Sequence, residues 1–96
     1  MNQYLAILSD KNTFDPDMPL VVGHVDHLKK LDAEGILFMC APFKGVPGAM
    51  QILNAETLEE ATEIVMKDPF LTEKFYQSVT IYDLIECNAN NNFLLK

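Results

Sequence analysis

Positive charge is scarce in this chain, and so are cysteine and long apolar runs. Seven Lys/Arg residues stand against 14 Asp/Glu, a formal net charge of −7. That balance argues against nucleic acid and anionic membrane as partners, because both are polyanions that select clusters of cations. Lys29–Lys30 is the one cationic pair, and no patch surrounds it. No apolar stretch approaches the roughly 18 residues that would cross a bilayer. The segment MNQYLAILSDKNTFD has no basic residue ahead of its apolar run and no small-residue cleavage site, so no signal peptide and a cytoplasmic location are expected. Cys40 and Cys87 are the only cysteines, and neither has a second Cys or His at metal spacing. Two reduced thiols are the expectation. A Gly-rich phosphate loop, a Gly-x-Ser-x-Gly elbow and a Cys-x-x-Cys pair are also missing.

What is present is a globular composition. An apolar fraction of 49% with 22% charged residues places the chain among folded proteins, and 96 residues fit one domain. The run Gln3–Ser9 is apolar and closed by Asp10-Lys11-Asn12, which reads as a strand entering a turn. The loop Thr13–Pro19 holds two prolines. From Leu20 to Glu34 the pattern becomes helical, with Leu20, Val21, Val25, Leu28 and Leu31 on one side and Asp26, Lys29, Lys30 and Ala33 opposite. Gly35 stops that helix.

Ile36–Phe43 is apolar almost without a break, the pattern of a strand buried on both faces. Lys44–Gly48 is a turn and Ala49–Ala55 the returning strand, so the two should form an antiparallel hairpin. Thr57-Leu58-Glu59-Glu60 is a capping box, opening a helix to about Lys67 with Leu58, Ala61, Ile64 and Val65 inward. Asp68-Pro69 ends it, because a residue before proline is pushed out of the helical region. A turn of helix over Pro69–Lys74 and a strand from Phe75 to about Ile85 complete residues 1–86. An asparagine-rich tail, residues 87–96, follows with Phe93-Leu94-Leu95 near its end.

The order β-α-β-β-α-β with right-handed crossovers gives a ferredoxin-like α+β fold, an antiparallel sheet with both helices on one face. The other sheet face is apolar and uncovered, and a second copy of the chain is the expected cover, making a homodimer through the sheet face.

Few residues have the chemistry for a site. His24 stands in the apolar helix face, where an imidazole is either a core histidine with one satisfied hydrogen bond or a proton-transfer group facing a pocket. His27 completes a His-x-x-His, but without a third ligand at a telling spacing no metal site is expected. Asp68 before Pro69-Phe70 is a good helix N-cap, a geometry that also fixes a carboxylate where it can pair with a histidine. Asp10 is either a turn former or a pocket carboxylate.

Together these residues resemble the YCII (YciI-like) family. The resemblance rests on Ser9-Asp10-Lys11, on His24-x-x-x-Leu28-x-x-Leu31-x-x-x-Gly35, on Ala41-Pro42, on Glu56-Thr57-Leu58-Glu59-Glu60-Ala61 and on Asp68-Pro69-Phe70. It covers the chain to about residue 85. It implies a dimeric α+β barrel whose pocket contains a histidine and an aspartate, here His24 and Asp68, with Asp10, Pro42 and Phe70 as candidate substrate-binding residues. A related member eliminates chloride from a chlorinated hydroxyhydroquinone, and muconolactone isomerase-like proteins share the broader architecture. An arginine often stands three residues before the family histidine, and here that position is Val21. Its loss removes an anion-binding group and argues against an acidic substrate. Ala41-Pro42 replaces the family's Gly-Pro. The expectation is an enzyme that needs no cofactor and moves a proton on a small cyclic or enol-like substrate, or else a non-catalytic dimeric module that binds a small ligand.

Overall fold

A computed structural model describes residues 1–95. Its elements are β1 (Asn2–Lys11), α1 (Met18–Ala33), β2 (Leu37–Pro42), β3 (Ala49–Ala55), α2 (Leu58–Met66), α3 (Pro69–Thr72) and β4 (Tyr76–Leu84), followed by a 3-10 segment at Ala89–Leu94. The four strands form one sheet in the order β2-β3-β1-β4, with every pairing antiparallel. This is the ferredoxin-like order, in which the outer strands β2 and β4 each lie beside the centre pair β3 and β1.

Alternation along the centre strands decides which side is core. Tyr4, Ala6 and Leu8 of β1 are buried, as are Gln51, Leu53 and Ala55 of β3, and register pairs Tyr4 with Leu53 and Ala6 with Gln51. Directly opposed residues share a face, so this is the side the helices cover. The hydrophobic cluster there joins Ala6, Leu8 and Leu53 to Leu31 of α1, Val65 of α2, Leu71 of α3 and Phe75. Leu5, Ile7, Met50 and Ile52 occupy the opposite face, and Met39 and Tyr82 flank them at 50% and 53% exposure.

Local chemistry sets the helix ends. Asp17 caps α1 by accepting the Leu20 N–H at 2.9 Å, so the helix starts at Met18 with Pro19 in its first turn, two residues earlier than hydrophobic periodicity indicates. At the other end Ile36 N–H bonds Leu31 C=O, Gly35 N–H bonds Asp32 C=O, and Gly35 takes φ 74°. That double closure requires a left-handed residue, which is why glycine stands there. Thr57 Oγ accepts the Glu60 N–H at 3.1 Å, as the capping box demands, but Glu60 reaches back to the N–H of Glu56 and not to that of Thr57.

Three expectations of burial need correction. Ile36–Phe43 is not a strand buried on both faces: β2 is an edge strand, and Phe38, Met39 and Cys40 are exposed. An unbroken apolar run does not distinguish a central strand from an edge strand that borders an uncovered face. Val25 of α1 and Leu58 of α2 point outward, and α1 buries Leu31 alone. The helix meets the sheet along a narrow stripe, leaving a hollow beneath its first half.

Candidate functional site

The hollow is a cavity of about 280 Å³ between α1, α3 and the β2–β3 end of the sheet. Its floor is made by Leu8, Cys40, Ala49 and Gln51, its helical side by Val21, His24 and Leu28, and its end by Phe70 and Tyr76. Small side chains at Cys40, Ala41 and Ala49 keep it open, while most of its surface is carbon.

His24 and Asp68, 44 residues apart in sequence, meet at its wall. His24 Nδ1 lies 2.8 Å from Asp68 Oδ1. Asp68 is fully buried and the His24 side chain 18% exposed. The carboxylate is held on three sides: Phe70 donates its N–H to Oδ1 at 2.9 Å as the N-cap bond of α3, and Gln51 Nε2 donates to Oδ2 at 2.9 Å. Capping and pairing with histidine are thus done by the same carboxylate. Burial alone would raise the Asp68 carboxyl, but hydrogen bonds from His24, Phe70 and Gln51 outweigh it and hold the group below its ordinary value of 3.8. An ionised carboxylate only accepts, so Nδ1 of His24 carries a proton and Nε2 is the ring atom left for other work. Phe70 stacks on the imidazole with ring centroids 3.8 Å apart and 5° between planes. The ring is therefore fixed in its plane by the carboxylate and across its plane by the phenyl group.

Of the residues singled out from sequence, His24, Pro42 and Phe70 line the cavity, and Asp68 stands directly behind His24. Asp10 does not join them. It is exposed with φ 56°, and its carbonyl accepts from Gln77, so it shapes the exit of β1. His27 lies one turn along α1, where burial holds its pKa below the ordinary 6.5. No group of three His, Cys, Asp or Glu able to hold a metal exists among the described residues.

Sequence reasoning missed two residues. Gln51 is 2% exposed, and its Oε1 is buried with no hydrogen-bond partner among the described residues. The available signal was its parity: in Ala49–Ala55 the inward positions are 49, 51, 53 and 55, so a glutamine sits where an apolar residue belongs. Tyr76 closes the end of the cavity, and burial together with the charge of Asp68 pushes its phenol above the ordinary 10.0. It therefore remains a hydrogen-bond donor across the physiological range. Nothing in the Phe75-Tyr76 pair marks which ring turns toward the cavity.

Several known proteins resemble the chain. A family model described as the YCII-related domain matches residues 2–85. The uncharacterized protein YjpA of Bacillus subtilis (strain 168) is 35% identical over 71 residues, which cover 74% of this chain and 81% of that one. Among solved structures, the 5-chloro-2-hydroxyhydroquinone dehydrochlorinase TftG of Burkholderia phenoliruptrix AC1100, in complex with 2,5-dihydroxybenzoquinone, aligns over 94% of this chain and 99% of its own with a TM-score of 0.62 and 18% identity. Muconolactone isomerase aligns over 88% of both chains with a TM-score of 0.71 and 15% identity. At such identities the structural likeness is one of fold.

Proposed function

The chain belongs to the YCII-related family, and from that premise we propose that it is a cofactor-independent enzyme transferring a proton on a small cyclic or enol-like substrate. The observation that carries the reading is the 2.8 Å His24–Asp68 pair at the wall of an apolar cavity. Asp68 holds the imidazole in the tautomer whose Nε2 can accept a proton, and its charge offsets the imidazolium that then forms. Phe70 prevents the ring from turning away. The Tyr76 hydroxyl is a donor for oxygen that gains negative charge as the proton leaves, a role that suits isomerisation or elimination equally. The same His24 then returns the proton to a different atom or gives it up to solvent.

Among the described residues the cavity wall carries no lysine or arginine, which favours an uncharged substrate over an anionic one. The ring compounds in the names of the two structurally similar enzymes supply the first compounds to try, alongside lactones and enols. Turnover of any such compound should fall by roughly 10²–10⁴-fold in His24→Ala, the usual contribution of a positioned acid–base group. Binding that survives in both proteins with no turnover in either would sink the enzymatic reading and leave a ligand-binding module.

The working unit in this proposal is a homodimer that covers the open sheet face. Two exposed, unpaired thiols, Cys40 and Cys87, fit a reducing cytoplasmic setting. Among the described residues no helix is long and apolar enough to cross a membrane.

A further inference from the structure

The proton-transfer reading leaves a buried polar atom of the cavity floor unused. Gln51 Nε2 is committed to Asp68 Oδ2 at 2.9 Å, and because an ionised carboxylate cannot donate, the amide cannot flip. Oε1 is thereby fixed on the other side of the amide. It is buried, it has no partner among the described residues, and its residue forms part of the cavity floor between Cys40 and Ala6 in the sheet register. Leaving a buried acceptor without a donor is unfavourable, and such groups in native proteins call for an explanation.

The neighbours do not supply a donor. Leu8, Val21, Leu28, Pro42, Ala49 and Phe70 present only carbon to the hollow. Cys40 and Tyr76 bring a thiol and a hydroxyl to the lining, but neither bonds Gln51 Oε1. His24 turns its Nδ1–H to Asp68. A backbone donor is also absent, since Gln51 lies within the paired strands β1, β3 and β2 whose amides serve the ladder.

We infer that Gln51 Oε1 is a specificity element, which accepts a hydrogen bond from a hydroxyl group of the ligand in the His24 cavity. The ligand class that follows is an uncharged, compact ring or enol bearing at least one O–H. This rests on the reading of the cavity as a substrate site and adds to it a choice among substrates. Apolar walls reward any ring of the right size, by a similar amount with or without the hydroxyl. The acceptor breaks that tie, because a ligand lacking the donor leaves Oε1 buried and unpaired. Sites built to bond a hydroxyl discriminate far more strongly than sites that merely fit a shape. The Asp68 bond gives the acceptor its rigidity: the carboxylate that orients His24 from one oxygen holds Gln51 from the other.

Phenol and toluene separate these effects, being close in size and differing by a hydroxyl for a methyl. Their binding is read on the 15N-labelled full-length protein by NMR, following backbone amides around the cavity and the Gln51 side-chain amide. Phenol should bind wild type at least about tenfold more tightly than toluene, although toluene is the more hydrophobic, and only phenol should move the Gln51 side-chain signal. Gln51→Leu should reverse the preference. Should that variant not fold, the wild-type preference and the Gln51 signal still decide the matter. Equal binding, or tighter toluene, overturns the role of Gln51 while leaving the His24–Asp68 reading intact, and means that a trapped water satisfies Oε1. Failure of both compounds to perturb the cavity up to their solubility overturns the cavity as a ligand site, and this inference with it.

Discussion

The carboxylate of Asp68 has more duties than any other group in the molecule, and acid titration should expose them. Its pKa is lowered in the fold, so its contribution to stability is complete above the unfolded value near 3.8 and is lost as pH falls through the folded value. His27 acts at a higher window with the same sign. Burial lowers its pKa, so the unfolded chain binds its proton first and stability begins to fall as pH drops below about 6.5. Urea unfolding across pH 2–8 should therefore show two separable slopes. Asp68→Asn should flatten the limb below about pH 4 and cost about 1.5–3 kcal/mol at pH 7, since hydrogen bonds to a buried charged carboxylate are weakened or lost. His27→Gln should flatten the limb that begins below about pH 6.5 and leave the lower one. A single undivided transition, unchanged by either variant, would contradict the assignment. At this scale the sequence was half legible. His24 and Asp68 stand out because a histidine in an apolar stripe and an aspartate before proline are chemically conspicuous. Their contact was not readable from local spacing, because it depends on α3 packing under α1. Gln51 looks like any strand glutamine until its register is known, and Tyr76 is one of two adjacent rings.

Element boundaries follow caps more faithfully than periodicity. Asp17, Gly35, Thr57 and Asp68 each end or begin a helix through a named hydrogen bond or backbone angle. Apolar periodicity alone starts α1 two residues late and turns Val25 and Leu58 inward, where the structure exposes both. The hairpin joining β2 to β3 matters most to the cavity, since it carries Pro42 and Ala49 into the lining. Its geometry hinges on Gly48, which has φ 122° and accepts the Phe43 N–H at 2.9 Å. A Cβ there would stand 2.9 Å from the Phe43 ring and 3.1 Å from the Leu8 carbonyl oxygen. The ring could move, but the β1 backbone and the backbone angle could not follow without strain. Gly48→Ala is expected to cost about 1–3 kcal/mol in thermal or urea unfolding, and to shift NMR signals of Cys40, Ala41 and Ala49 in the cavity lining. Gly45, with φ 83° but open space around it, should cost less, about 1 kcal/mol, and should leave those signals in place. If the two variants were equal, steric closure by Phe43 and Leu8 would have no part in shaping the cavity.

Among the described residues, one side of the sheet is packed by helices and the other, apolar side carries no element. Leu5, Ile7, Met50 and Ile52 run down its centre, paired across β1 and β3, with Met39 and Tyr82 beside them on β2 and β4. The β-α-β-β-α-β order made this legible from the sequence, because two right-handed crossovers must place both helices on the same face. What the sequence hid was the consequence for β2, whose apolar side chains belong to the open face and the edge and not to a doubly covered centre. A domain of under 100 residues buries only about two-thirds of its surface, so leaving this face in water would forfeit a large part of the available stabilisation. A second copy applied face to face would bury a closed, two-fold contact, and a stable pair needs about 1,200–2,000 Å² in total. Ile52→Glu tests the arrangement, since Ile52 sits at the centre of the face and lies on the opposite side of the sheet from the cavity. Sedimentation velocity at micromolar concentration should show a dimer for wild type and a monomer for the variant, with a melting temperature that rises with protein concentration in wild type alone. Monomeric wild type at those concentrations would refute the dimer. A monomeric Ile52→Glu protein that still binds phenol would show that each cavity is complete within one chain, as expected of a wall drawn from α1, α3 and the inner side of a single sheet.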